Sequence, residues 1–178
     1  MVNSTQNITL ITCGNFDMKY IDKVANTVKM VFHREVTIRN GNVELIEYYN
    51  PSRRQYNGDL LLKKVDSLRN PGENKIMGLF QVDLFIPILT YIFGQAYLNG
   101  STGISSNYRL YNERYGLKPD NELMLTRFQK EVVHELGHEF GLIHCFTPDC
   151  VMQSSTYVED IDQKSIRFCR SCNSKLGL

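Results

Sequence analysis

Apolar positions along this chain switch between short β-branched runs and helical spacing, and the switches divide it into elements. Asn7 to Cys13 is a compact β-branched run ending at Gly14-Asn15, which predicts a buried strand. From Met18 to Phe32 the apolar residues Tyr20, Ile21, Val24, Val28 and Val31 recur at helical spacing behind Asp17, a suitable N-cap. Glu35 to Ile38 and Val43 to Tyr49 read as two strands joined at Asn40-Gly41, a pair that suits a hairpin turn. The stretch from Tyr48 to Asn57 reads as a loop with Arg53 and Arg54 on a solvated surface, and Asp59 to Leu68 returns to helical spacing before Asn70-Pro71-Gly72. Lys75 to Phe85 predicts a central strand, followed by strands at Thr90 to Leu98 and Ile104 to Tyr111. A long helix then runs from Glu122 to Leu142, with a short one at Glu159 to Arg167 and a terminal loop spanning Cys169 to Lys175.

The long helix carries the chemistry. Three of the four histidines lie in His134-Glu135-Leu136-Gly137-His138-Glu139-Phe140-Gly141-Leu142-Ile143-His144. Residues i and i+4 of a helix differ by about 40° in rotation and about 6 Å in rise, so His134 and His138 share a face and can share a metal. Glu135 flanks that face, where a general base can reach a zinc-activated water. In a continued helix His144 would be carried about 9 Å beyond His138 and far round the axis. The helix must stop, and Gly141 is the residue that can take the left-handed conformation at its end. Three neutral nitrogens leave a fourth zinc position open, as in a catalytic site.

Four cysteines follow: Cys145 and Cys150, then Cys169 and Cys172, at spacings suited to a closed tetrahedral zinc site. In extended backbone the neighbours His144 and Cys145 point to opposite sides, so the second site can fix the backbone that presents the third histidine. Two disulfides are the alternative, and four cysteines allow three pairings. Cys13, in an apolar run, reads as a buried small hydrophobe.

The histidine run matches the long zinc-peptidase motif His-Glu-x-x-His-x-x-Gly-x-x-His at every fixed position and resembles the metzincin clan. His144-Cys145, then Cys150 and Met152, then Cys169 and Cys172 narrow the resemblance to the archaemetzincin family. That resemblance implies an α+β, zincin/metzincin-like fold: a mixed twisted sheet, a long active-site helix and a small C-terminal zinc-binding subdomain. It implies a zinc-dependent peptidase acting on peptides or proteins, with a methionine turn at Met152 beneath the metal. It also implies an edge strand whose residues Phe93, Gly94, Gln95, Ala96 and Tyr97 hold extended substrate. Some metzincins place a tyrosine two residues after the turn methionine; here that position is Ser154, with Tyr157 nearby.

At 178 residues the chain suits one domain, with residues 1–141 as the larger subdomain and 142–178 as the smaller. A formal net charge of +1 argues against a nucleic-acid partner. Asp83 and Pro87 interrupt the most apolar stretch, Ile76 to Leu98, and argue against a membrane span. The polar start, Met1 to Asn7, does not resemble a signal peptide, so a cytoplasmic monomer with two zinc ions is expected, and the glycosylation triplets at Asn3, Asn7 and Asn99 are expected to be coincidental. The competing function is a non-catalytic zinc module whose basic surround, Lys164, Arg167, Arg170 and Lys175, contacts nucleic acid or a protein partner.

Overall fold

The computed structural model describes residues 6–178; the Asn3 triplet and most of the polar leader lie outside them. In chain order the elements are β1 (Ile8–Thr12), α1 (Ile21–Phe32), β2 (Val36–Asn40), β3 (Tyr49–Asn50), β4 (Gln55–Asn57), α2 (Gly58–Ser67), β5 (Lys75–Phe80), β6 (Leu84–Ile86), β7 (Leu89–Ile92), β8 (Gly94–Ala96), β9 (Thr102–Ser106), α3 (Asn121–Glu139), α4 (Val158–Gln163) and α5 (Arg170–Leu176). The main sheet has the order β2-β1-β5-β9-β8, parallel except for the edge strand β8, which runs antiparallel to β9. A smaller mixed sheet, β3-β4-β6-β7, stands beside it.

The central strands are apolar on both faces because both faces are covered. Ile8, Leu10, Met77 and Leu79 join the core shared with α1 and α3. Ile11, Cys13, Ile76, Phe80 and Ile104 pack on the other side with Leu61, Leu62 and Val65 of α2. Cys13 is buried there as expected, and burial pushes its thiol up to about 12. The sheet therefore gives α3 a rigid floor, and no helix among the described residues is long and apolar enough to cross a membrane.

Several expected elements fall elsewhere. The hairpin at Asn40-Gly41 does not form: β2 pairs in parallel with β1, and Leu45–Tyr48 is a 3₁₀ turn. Gly41 N donates to Thr12 O and Asn40 Oδ1 accepts from Asn42 N, so these residues extend the β1 ladder and do not fold back. The strand expected from Lys75 to Phe85 splits between the two sheets after Phe80, where Asp83 turns aside to pair with Arg109. Thr90 to Leu98 splits likewise: Phe93 is buried between β7 and β8, which belong to different sheets. Strand β9 stops at Ser106 because Asn107 N caps Phe80 O and a 3₁₀ turn follows.

Smaller shifts have local causes. Asp17 caps a 3₁₀ turn that precedes α1. The expected loop at 48–57 contains β3 and β4, and Arg53 lies 4.2 Å over the Phe85 ring. Helix α4 ends at Gln163, four residues before the expected Arg167, and the expected loop after Cys169 is α5.

Candidate functional site

Helix α3 is N-capped by Asp120, whose side chain accepts from Leu123 N at 2.9 Å. It ends three residues earlier than the apolar pattern suggests. Gly141 takes φ 91°, its N–H donates to His138 O at 2.9 Å, and Leu142 N donates to Gly137 O at 2.9 Å. This pair of bonds is the Schellman arrangement, which satisfies the last carbonyls and turns the chain back. His134, His138 and His144 consequently converge, with one nitrogen of each ring within 4.8 Å of the others.

Two of the rings are locked by the backbone. His134 Nδ1 lies 2.8 Å from Val151 O and His138 Nδ1 lies 2.7 Å from Leu142 O. A carbonyl only accepts, so both Nδ1 atoms carry the proton and both Nε2 atoms present lone pairs. Those two Nε2 atoms face each other at 3.1 Å. Two facing lone pairs repel unless a cation lies between them, and neutral imidazoles at this separation suit tetrahedral zinc with ~2.0 Å bonds. Burial holds both imidazoles below their ordinary pKa, which keeps them in the neutral form that can ligate a metal, and the partial desolvation of the more exposed His144 ring acts in the same direction.

Glu135 lies beside the pair, buried, and burial followed by the nearby Glu131 pushes its carboxyl well above the usual carboxylate range. It packs against Gly94 of β8, where an added Cβ would stand 2.7 Å from Glu135 Cγ and 2.7 Å from Ile104 O. The small residue in the edge strand therefore makes room for the acid. Met152 is fully buried against α3 at Gly137. Its sulfur presses so close to Gly137 that a Cβ there would overlap it, and a Cβ would also meet Met152 Cε at 3.1 Å.

The cysteines form the second cluster, all four unpaired and with sulfurs within 4.8 Å of one another. Cys145 and Cys169 are 3.8 Å apart, and Cys150 and Cys172 are 3.9 Å apart. A ~2.3 Å Zn–S bond places tetrahedral corners about 3.8 Å apart, so the donor set fits zinc. The Cys172 N–H at the start of α5 holds the Cys169 thiol down to about 6, and burial pushes the Cys172 thiol up. Cys145 N donates to Met152 O at 2.9 Å, so this cluster and the turn methionine are fastened to the residue after His144.

A cleft of about 500 Å³ runs between β7-β8 and α3. Phe93, Gly94, Gln95 and Ala96 line it together with His134, Glu135, His138, His144, Ser154 and Tyr157. Tyr97 is exposed and does not line it. Sequence reasoning missed Glu131, Tyr91 and Ser155, which also line the cleft. Glu131 was findable, being one turn before His134 on the same face. Lys164 is buried with its ammonium 3.0 Å from Glu131 Oε1, and so is withdrawn from the basic surface expected around the cysteines.

The model of peptidase family M54 matches residues 10–177. The archaemetzincin of Archaeoglobus fulgidus is 34% identical over 156 residues, covering 88% of this chain and 90% of the relative. That of Methanocaldococcus jannaschii is 40% identical over 128 residues, covering 72% of this chain and 69% of the relative. The crystal structure of the Methanopyrus kandleri archaemetzincin superposes with a TM-score of 0.85 at 32% identity, over 99% of this chain and 97% of that one. The chain belongs to peptidase family M54 and, like the archaemetzincins it matches, is a zinc metallopeptidase.

Proposed function

We propose that this peptidase works with zinc held by His134, His138 and His144 and with Glu135 as general base, while a second, structural zinc is held by Cys145, Cys150, Cys169 and Cys172. The observation that carries the reading is the pair of Nε2 lone pairs facing each other at 3.1 Å, with the opposite nitrogen of each ring occupied by a carbonyl. The chemistry that zinc supplies in such a site is Lewis acidity, which polarises a scissile carbonyl and acidifies water. Glu135 takes the proton from water at its carboxylate and passes it to the leaving amine. Its buried place beside the two imidazoles keeps the carboxyl group next to the reacting water and away from bulk solvent.

Among the described residues strand β8 pairs on one side only, and residues of β8 line the cleft. An extended peptide added to that edge would take its backbone hydrogen bonds from Gly94 to Ala96, with Phe93 as a wall. Tyr97 leaves this set. The same proposal includes a cytoplasmic monomer without a nucleic-acid partner, supported by the near-neutral net charge, the unpaired cysteines and the inward position of Lys164.

Glu135→Gln tests the assignment. Two zinc ions per chain are retained and peptide hydrolysis falls by roughly 10²- to 10⁴-fold, the size of a general acid–base contribution. Unchanged turnover overturns the role of Glu135.

A further inference from the structure

Tyr91 of β7 and Thr156, on the segment between Met152 and α4, both line the cleft. The Tyr91 hydroxyl donates to Thr156 O at 2.9 Å, a bond between residues 65 positions apart. Oxygens that close leave no space for a side chain between them, so the two walls meet there. Each partner is held in place by other groups. The Arg109 guanidinium lies 4.1 Å over the Tyr91 ring and is itself fixed by two hydrogen bonds to Asp83, while Phe93 meets the ring edge-on at 5.5 Å between centroids. On the other wall, Thr156 N and Tyr157 N both donate to Asp160 Oδ2 at 2.8 Å. The bridge stands toward the Arg127 end of α3, because Arg127 bonds both Leu110 O, beside Arg109, and Asp162 of α4. His134, Glu135 and His138 lie further along the helix. The small sheet adds Ile86, Leu89 and Ile92 to the lining, and the Glu131 carboxylate is compensated by the Lys164 ammonium at 3.0 Å.

We infer that Tyr91 is a specificity-determining residue for the peptidase: its bond to Thr156 closes one end of the cleft, leaving a bounded apolar pocket that admits an apolar substrate side chain up to a limited size. Ile86, Leu89 and Phe93 favour such a side chain by burying it, whereas a polar one loses its hydration against walls that offer few partners in exchange. A side chain too long for the pocket must either break the bridge, stranding the hydroxyl and Thr156 O, or crowd the aromatic rings. The inference rests on the proposed reading of the cleft as the peptide site.

The test uses zinc-loaded protein and capped peptides of glycine and alanine that carry one variable residue: leucine, naphthylalanine or glutamine. Binding is measured by calorimetry on the Glu135→Gln variant, and turnover on the wild type. Leucine is favoured over naphthylalanine and over glutamine roughly ten- to a hundredfold. In the binding assay, adding Tyr91→Phe keeps the ring against Arg109 and Phe93 and removes only the bridging hydroxyl. It lowers the leucine-to-naphthylalanine ratio roughly three- to tenfold and leaves the leucine-to-glutamine ratio within about twofold of its starting value. Tyr91→Ala, which removes the ring as well, brings the size ratio to within about threefold of unity. Equal binding of leucine and naphthylalanine, a size ratio untouched in Tyr91→Phe, or glutamine bound as tightly as leucine overturns the inference. Absence of turnover with a size ratio in binding that depends on Tyr91 overturns the hydrolase reading alone.

Discussion

Up to Glu139 the chain is held by a two-faced sheet and three helices, with Phe32, Phe80 and Phe128 among its fully buried side chains. Beyond Gly141 there are two helices of six and seven residues and no strand. That segment is fastened by the cysteine cluster and by polar groups on one face of α3: Arg127 on Asp162, Lys130 on Ile161 O, and Glu131 facing Lys164. The same division runs through the histidine site. His134 and His138 are placed by helix geometry, whereas His144 is exposed and depends on how its segment is tied down. A zinc site assembled from one rigid and one fastened part should fail first at the fastened part.

Cys145→Ala is expected to have the largest effect, because structural zinc contributes on the order of 10 kcal/mol in small zinc units. Hydrogen exchange should show lost protection at Cys145, Val151 and Asn173, with β5 unchanged, and the histidine metal should be retained more weakly. Retention of that metal at wild-type affinity would break the coupling between the two sites. Arg127→Met comes next. It leaves Asp162 partly buried beside α3 without its partner, and the cost is about 3 kcal/mol in chemical denaturation. The sheet should keep its protection while α4 loses it.

Gly137→Ala sharpens the boundary between the two regions, since the added methyl must displace the Met152 sulfur. Overpacking of this kind costs about 1–3 kcal/mol and should lower zinc affinity at the histidines along with thermal stability. The smallest effect belongs to the framework. Arg39 holds the Glu73 carboxyl down from 4.5 to about 2. A depressed carboxylate pKa contributes stability above its ordinary value and loses it as pH falls toward 2. Glu73→Gln should therefore cost about 1 kcal/mol near pH 6, and the difference from wild type should close between pH 4.5 and 2 in denaturation curves.

The clustering of the three histidines was legible because its geometry is local. Four residues of helix fix His134 relative to His138, and one glycine fixes the reversal before His144. The strands were legible in position but not in partner: the pairing of β2 with β1 is decided by what β1 needs on its open side, 28 residues away in sequence. Gly137 sits at an unspecified position of the histidine motif, and its reason is a contact with Met152 that no local pattern announces. Lys164 read as a surface charge because nothing nearby in sequence says that it turns inward to Glu131.

An anomalous difference map collected at the zinc edge from crystals of the zinc-loaded protein is the most direct measurement. The account predicts two peaks per chain, one bonded to His134, His138 and His144 and one to the four cysteine sulfurs. A single peak at the cysteines, with the ring of His144 turned away from the other two, would contradict it.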